Sequence, residues 1–160
     1  MSKRKDKYKP KAFESNGEFL PKKKNGNNAT DVSANIYISM LISNAWRNLT
    51  LKQKELYLYC KAQYYGEKKT AADHLTAQEK ASGANVSIEK RFTMNKSKWD
   101  DLYGLYTDNT KRYFYSDMKA LIDNGFIKVV SNGKSNRTKN IYEFSSHWTE
   151  QGSYKSHNRW

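Results

Sequence analysis

Cysteine, histidine and acid are all scarce in this chain, and each shortage closes off a class of function. Cys60 stands alone, which excludes an internal disulfide and a thiolate zinc site. Set in an apolar helical run, it reads as a buried thiol. The three histidines, His74, His147 and His157, are isolated, with neither HxH nor HExxH spacing. P-loop, GxSxG and dinucleotide-type glycine patterns are missing too. Metal-assisted strand nicking needs clustered ligands beside a nucleophilic tyrosine; 12 tyrosines offer the nucleophile, but the cluster is not there. Asp100 and Asp101 read as solvent-facing acids on a helix. We therefore expect no catalytic residues, no metal and no cofactor. Nor does any apolar stretch approach the roughly 20 residues of a membrane span. The basic start MSKRKDKYKPKAF lacks the apolar core of a secretory signal. A reduced, cytoplasmic setting without a membrane partner is the expectation.

Basic and aromatic residues are what the chain has in excess. Lys and Arg number 29 against 16 Asp and Glu, a formal charge of +13. Such an excess points to a polyanionic partner, nucleic acid first and an acidic membrane second. Only 37% of residues are hydrophobic and mean hydropathy is −1.00, yet 12 Tyr, 6 Phe and 4 Trp are among them. A length of 160 residues suits one domain with tails, its small core built from large side chains. Residues 1–31 carry cations at positions 3, 4, 5, 7, 9, 11, 22, 23 and 24, with Pro10, Pro21 and an NGNN run. Without helical or strand periodicity, they read as a disordered basic arm that either tracks phosphates or merely aids solubility. Residues 149–160 read as a flexible tail.

Between the tails, residues 32–148 are expected to form the domain. Ile36, Ile38 and Met40 alternate with Tyr37 and Ser39, as in a short strand. Ser43 is placed to cap one helical turn with Trp46 inward, and Thr50 to cap a longer helix, LKQKELYLYCKAQYY, ending near Gly66. Leu56, Tyr59 and Cys60 form its apolar stripe, with Leu58 on the other side. Residues 66–90 are a polar insertion, with helical turns expected between Thr70 and Lys80 on a mobile loop. Arg91 to Met94 reads as a short strand. Asn95 or Ser97 can cap the next helix, in which Trp99, Leu102, Tyr103 and Tyr106 share one face. Gly104 permits a turn before Thr107.

The stretch Thr107 to Trp148 organises the rest. Phe114, Met118, Leu121 and Ile122 mark the buried face of a helix that stops at Asn124-Gly125. Its opposite face presents Asn109, Arg112, Ser116 and Lys119, flanked by Tyr113 and Tyr115. Phe126–Val130 and Asn140–Phe144 then read as a hairpin around a turn holding Lys134, Arg137 and Lys139 but no acid. If that helix enters a DNA major groove, Asn109, Arg112, Tyr115 and Ser116 are the candidate base readers: Arg112 suits guanine and Asn109 adenine. Thr107, Thr110, Lys111 and Lys119, with Lys134, Arg137 and Lys139 of the turn, are the candidate phosphate contacts. The plainer alternatives are that Asn109 serves the helix start, that Arg112 and Lys119 are solvated charges, and that the tyrosines are packing.

SNAWRNLT with the LYLYCKA helix, FTMNKSKWDDL, the ALIDNGFIKVV junction and IYEFSSHW together cover Ile36 to Trp148. This segment resembles the winged helix-turn-helix domains of replication initiators and origin-binding accessory proteins from Gram-positive plasmids, phages and conjugative elements. The fold so implied is α+β and mainly helical, with a three-helix core and a β-hairpin wing. The resemblance further implies double-stranded DNA binding at an origin of replication or conjugative transfer, with a relaxase or replication machinery as partner and the chain a monomer or weak homodimer. Lacking an attached ATPase or nuclease domain, it would act as an accessory factor. A transcriptional repressor would use the same residues. A single-stranded nucleic-acid binder would instead exploit the tyrosines and basic tails, and a protein-interaction domain would touch no DNA.

Overall fold

The computed structural model describes residues 36–66, 71–133 and 138–150, all within the unit Ala34–Trp160. The expected arm (residues 1–31) and most of the expected tail (residues 151–160) lie outside the described residues, as do Lys134 and Arg137. The described chain is α+β, with about half its residues helical and a small antiparallel sheet of three strands.

Its first segment corrects the sequence expectation. Residues 36–42 form no strand; Ile38–Leu41 forms a single turn, α1, closed by Met40 and Leu41 amides donating to the Tyr37 carbonyl at 3.0 and 3.2 Å. Of the alternating residues only Met40 is buried, and Ile38 is 69% exposed, so the alternation marks no sheet face. The two caps that follow are as the sequence implies. Ser43 Oγ accepts from the Trp46 amide at the start of α2 (Asn44–Arg47). At α3 (Leu51–Gly66), Thr50 N–H donates to Gln53 Oε1 at 2.9 Å while Gln53 N–H donates to Thr50 Oγ1 at 3.3 Å, a reciprocal box. Helix α3 buries Leu56, Tyr57, Cys60 and Gln63, and leaves Leu58 outside.

The insertion folds into α4 (Ala71–His74) and α5 (Ala77–Ser82), the latter boxed by Thr76 and Glu79 and ended at Gly83 with φ 62°. Its described part is tied to the sheet. Arg91 reaches back across it, donating to both Glu79 carboxylate oxygens at 2.8 Å and to the His74 carbonyl at 3.0 Å. Arg91 belongs to β1 (Arg91–Phe92), which pairs with β3 (Ile141–Phe144); β3 in turn pairs with β2 (Ile127–Ser131), giving the order β1-β3-β2. Glu143 in the central strand faces Arg91 on one side and Lys128 on the other, at 3.7 and 2.9 Å. Opposite charges directly across a ladder stabilise the pairing.

The helix after β1 also departs from expectation. Ser97–Leu102 winds as a π-helix, with the Tyr103 amide donating to the Lys98 carbonyl five residues back at 3.0 Å; past its end the Leu105 amide donates to the Trp99 carbonyl at 2.8 Å. The wider turn breaks the 3.6-residue lattice, so Trp99 and Tyr106 are buried while Leu102 is 63% exposed and Leu105 takes an inner place. A 3-10 turn, Asp108–Thr110, leads into α6 (Lys111–Asp123).

Helix α6 ends as Asn124-Gly125 predicts. Gly125 N–H bonds to the Ile122 carbonyl and Phe126 N–H to the Leu121 carbonyl, at 2.9 and 3.0 Å, with Gly125 at φ 76°. A Cβ here would also lie 2.6 Å from the Trp148 amide nitrogen, so glycine is required twice over. The core divides into two aromatic groups. Trp99, Tyr106 and Phe114 pack between the π-helix and α6, with Trp99 and Phe114 stacked at 5.2 Å. Trp46, Tyr57, Phe126, Phe144 and Trp148 pack between α2, α3 and the sheet.

Candidate nucleic-acid interface

Helix α6 keeps its inner face fixed by more than apolar contact. Phe114, Met118 and Leu121 are buried, and beside them Asp117 receives two hydrogen bonds. Tyr106 Oη donates to Asp117 Oδ2 at 2.7 Å, and Gln53 Nε2 donates to Asp117 Oδ1 at 3.0 Å. Burial, then the Asp117 carboxylate, push the Tyr106 hydroxyl well above the usual phenol range, so it stays a proton donor. Since Gln53 also sits in the cap of α3, this cluster couples the start of α3 to the middle of α6.

On the outer face, Asn109, Arg112, Ser116 and Lys119 are all exposed. Asn109 lies in the 3-10 turn rather than the α-helix proper. Arg112 leans on its neighbour: its Nη2 donates to Tyr113 Oη at 2.8 Å, and the guanidinium lies 4.8 Å from the Tyr113 ring centre. Tyr113 and Tyr115 are each 49% exposed, but Tyr115 also packs edge-on against Phe114 at 5.1 Å.

The proposed phosphate contacts are less uniform. Thr107 and Thr110 serve each other first: Thr107 N–H donates to Thr110 Oγ1 at 2.7 Å, and the two hydroxyl oxygens are 3.2 Å apart. Lys119 pairs with Asp123 one turn on, at 2.6 Å, and Lys139 lies 3.6 Å from Asp73 of the insertion. Lys111 is exposed at the first α-helical position.

A feature the sequence reading missed joins several of these residues. Lys111 and Tyr115 of α6 face Lys139 and Asn140 of the hairpin across a cleft of about 290 Å³, with Asn95 and Lys96 closing one side. Its floor includes Trp99 and Phe114. Lys96 is bound to Asp100 and lies 3.3 Å from Asp108; the Asp100 hydrogen bond, then that to Asp108, raise its pKa. The signal was present in NKSKWDD, where a lysine precedes the acids by one helical turn, but only the fold carries it beside α6. Asp108 places a negative charge at the start of α6, where the helix dipole favours one, and Lys96 offsets it.

Among the described residues no three His, Cys, Asp or Glu gather into a metal-sized group, and no helix is long and apolar enough to cross a membrane. Comparison with protein-family models, with curated proteins and with solved structures finds no match.

Proposed function

We propose that this chain is a winged helix-turn-helix protein that binds double-stranded DNA sequence-specifically and acts by binding rather than catalysis. In this reading α3, the π-helix and α6 are the three core helices, β1 to β3 are the small sheet, and the β2–β3 hairpin is the wing. The observation that carries it is α6: a helix anchored on its inner face and presenting Arg112 and Ser116 outward, with Asn109 exposed in the turn before it and a hairpin beside it. A major groove about 12 Å wide admits one such helix, and its base edges match Arg and Asn donors. The charge of +13 supplies the salt-dependent part of the attraction. By the resemblance of Ile36 to Trp148, the site served is an origin of transfer or replication on a mobile element, with this chain as accessory factor in the cytoplasm.

Gel shifts on a selected duplex site test the reading. Arg112→Ala is expected to cost about 1–3 kcal/mol and to relax specificity at one base position, whereas Lys111→Ala weakens all sequences alike and lowers the salt slope by about one. Equal, sequence-blind losses from both would remove Arg112 from base reading. Equal affinity for a single strand and its duplex would sink the groove model.

A further inference from the structure

A second cleft, of about 320 Å³, opens between α1, α3 and the end of β3, and the DNA-binding reading makes no use of it. Its walls include Tyr37, Tyr57, Phe144 and Trp148, and its charges are Lys61 and Lys90; no carboxylate is among the lining residues. Lys61 is the centre of it. Its ammonium lies 5.1 Å from the Phe144 ring centre, 5.8 Å from that of Tyr57 and 6.0 Å from that of Tyr37. Ring faces stabilise a cation that has left water, but they do not replace its full hydration. Accordingly, partial burial lowers the Lys61 pKa. Ser145 adds a donor: its Oγ accepts from the His147 amide at 3.2 Å, which leaves the hydroxyl proton free to be given away.

Aromatic walls, two ammonium groups and a hydroxyl select a definite chemistry. We propose that this cleft binds a small planar aromatic anion, its ring against Tyr37 and Trp148 and its carboxylate or phosphate between Lys61 and Lys90. The volume falls at the lower end of small-molecule sites, which are mostly apolar with a few placed polar groups. An anion entering here meets a cation already stripped of part of its water, so the charge-assisted contact forms at lower desolvation cost than at an exposed lysine. Two sources fit this chemistry, a mononucleotide and an aromatic carboxylic acid. The site stands apart from α6 and does not depend on duplex reading.

Isotope-edited NMR on the full chain tests it, with AMP and benzoate as probes and adenosine and benzamide as their uncharged counterparts. One anion is expected to saturate below about 1 mM, shifting the Phe144 to Trp148 amides and the Trp148 indole, while its uncharged counterpart does not saturate. Which anion binds more tightly names the source. Lys61→Met keeps the apolar stem and should weaken binding about tenfold, with Lys90→Gln weakening it less. Should Lys61→Met alter the fold, Lys90→Gln still decides the matter, because Lys90 is exposed. The proposal is overturned if no anion saturates, if the neutral compounds bind equally well, or if both variants bind like the unmodified chain.

Discussion

Arg91 and Lys119 are both cations beside a carboxylate, yet their settings are opposite. Arg91 is 6% exposed and its guanidinium joins three separate pieces of chain: α5 through Glu79, α4 through the His74 carbonyl, and β3 through Glu143. Lys119 projects from α6 with its side chain 72% exposed and pairs with Asp123 one turn away. A buried, forked pair cannot be exchanged for another anion without exposing the charge left behind. An exposed one-turn pair is worth a few tenths of a kcal/mol, so a phosphate can replace its carboxylate at little cost. What separates the two cations is desolvation and geometry, not residue type.

The most direct way to break this comparison is Arg91→Met. It strands Glu79 and Glu143 without their common partner and releases the insertion from the sheet. Glu79 keeps some solvent, so the loss should fall at the lower end for broken buried pairs, about 3 kcal/mol. Urea denaturation measures it; a loss below 1 kcal/mol would place Arg91 in the same class as Lys119.

Acid titrates the same pair from the other side. Arg91's hydrogen bond first, and then the Thr76 amide, hold the Glu79 carboxyl down to about 2, against 4.5 unperturbed. A depressed acid stabilises the fold fully above its unfolded pKa and loses that contribution as pH falls through its folded one. The contribution of Glu79 should therefore be complete above pH 4.5 and drain away between 4.5 and 2. Measured across that window, Glu79→Gln should flatten part of the stability curve. An unchanged slope would show that the pair does not hold the insertion.

How far these roles can be read from sequence follows the same division. Local signals carry well: Ser43, Thr50 and Asn124-Gly125 each mark a boundary because a cap involves residues three to five apart. The two faces of α6 were likewise legible from the 3.6 period. By contrast, Arg91 and Glu79 are separated by the loop between them, and nothing in either residue's neighbourhood names the other. The π-winding at Ser97–Leu102 defeats a 3.6-residue template, which turns Leu102 inward where the fold leaves it 63% exposed. Lys96 escaped for a third reason, since its position beside α6 is set by packing of Trp99 on Phe114 rather than by spacing.

Tyr106→Phe sharpens the comparison at intermediate size. It removes the hydroxyl that donates to Asp117 but keeps the buried ring against Trp99 and Phe114. A hydrogen bond to a carboxylate is worth about 1.5–3 kcal/mol, and Gln53 still satisfies the other Asp117 oxygen, so about 1.5 kcal/mol of stability should be lost. Because the change lies against the inner face of α6, duplex specificity should be unaltered. A shifted base preference would mean that the Asp117 cluster sets the pose of the reading face and not only its anchorage.

The smallest effect on stability belongs to Lys119, and it is the most diagnostic. Lys119→Ala should cost no more than about 0.5 kcal/mol in the free protein, as expected for an exposed pair one turn apart. If the same lysine exchanges Asp123 for a phosphate, the salt slope of duplex binding should nevertheless fall by about one. Asp123→Asn then supplies the reciprocal test: it removes the competing carboxylate, so duplex affinity should rise modestly at low salt while base preference is unchanged. An Asp123→Asn variant with unaltered affinity and a Lys119→Ala variant with an unaltered salt slope would together make Lys119 a solvated charge, leaving Lys111 and the hairpin as the backbone contacts.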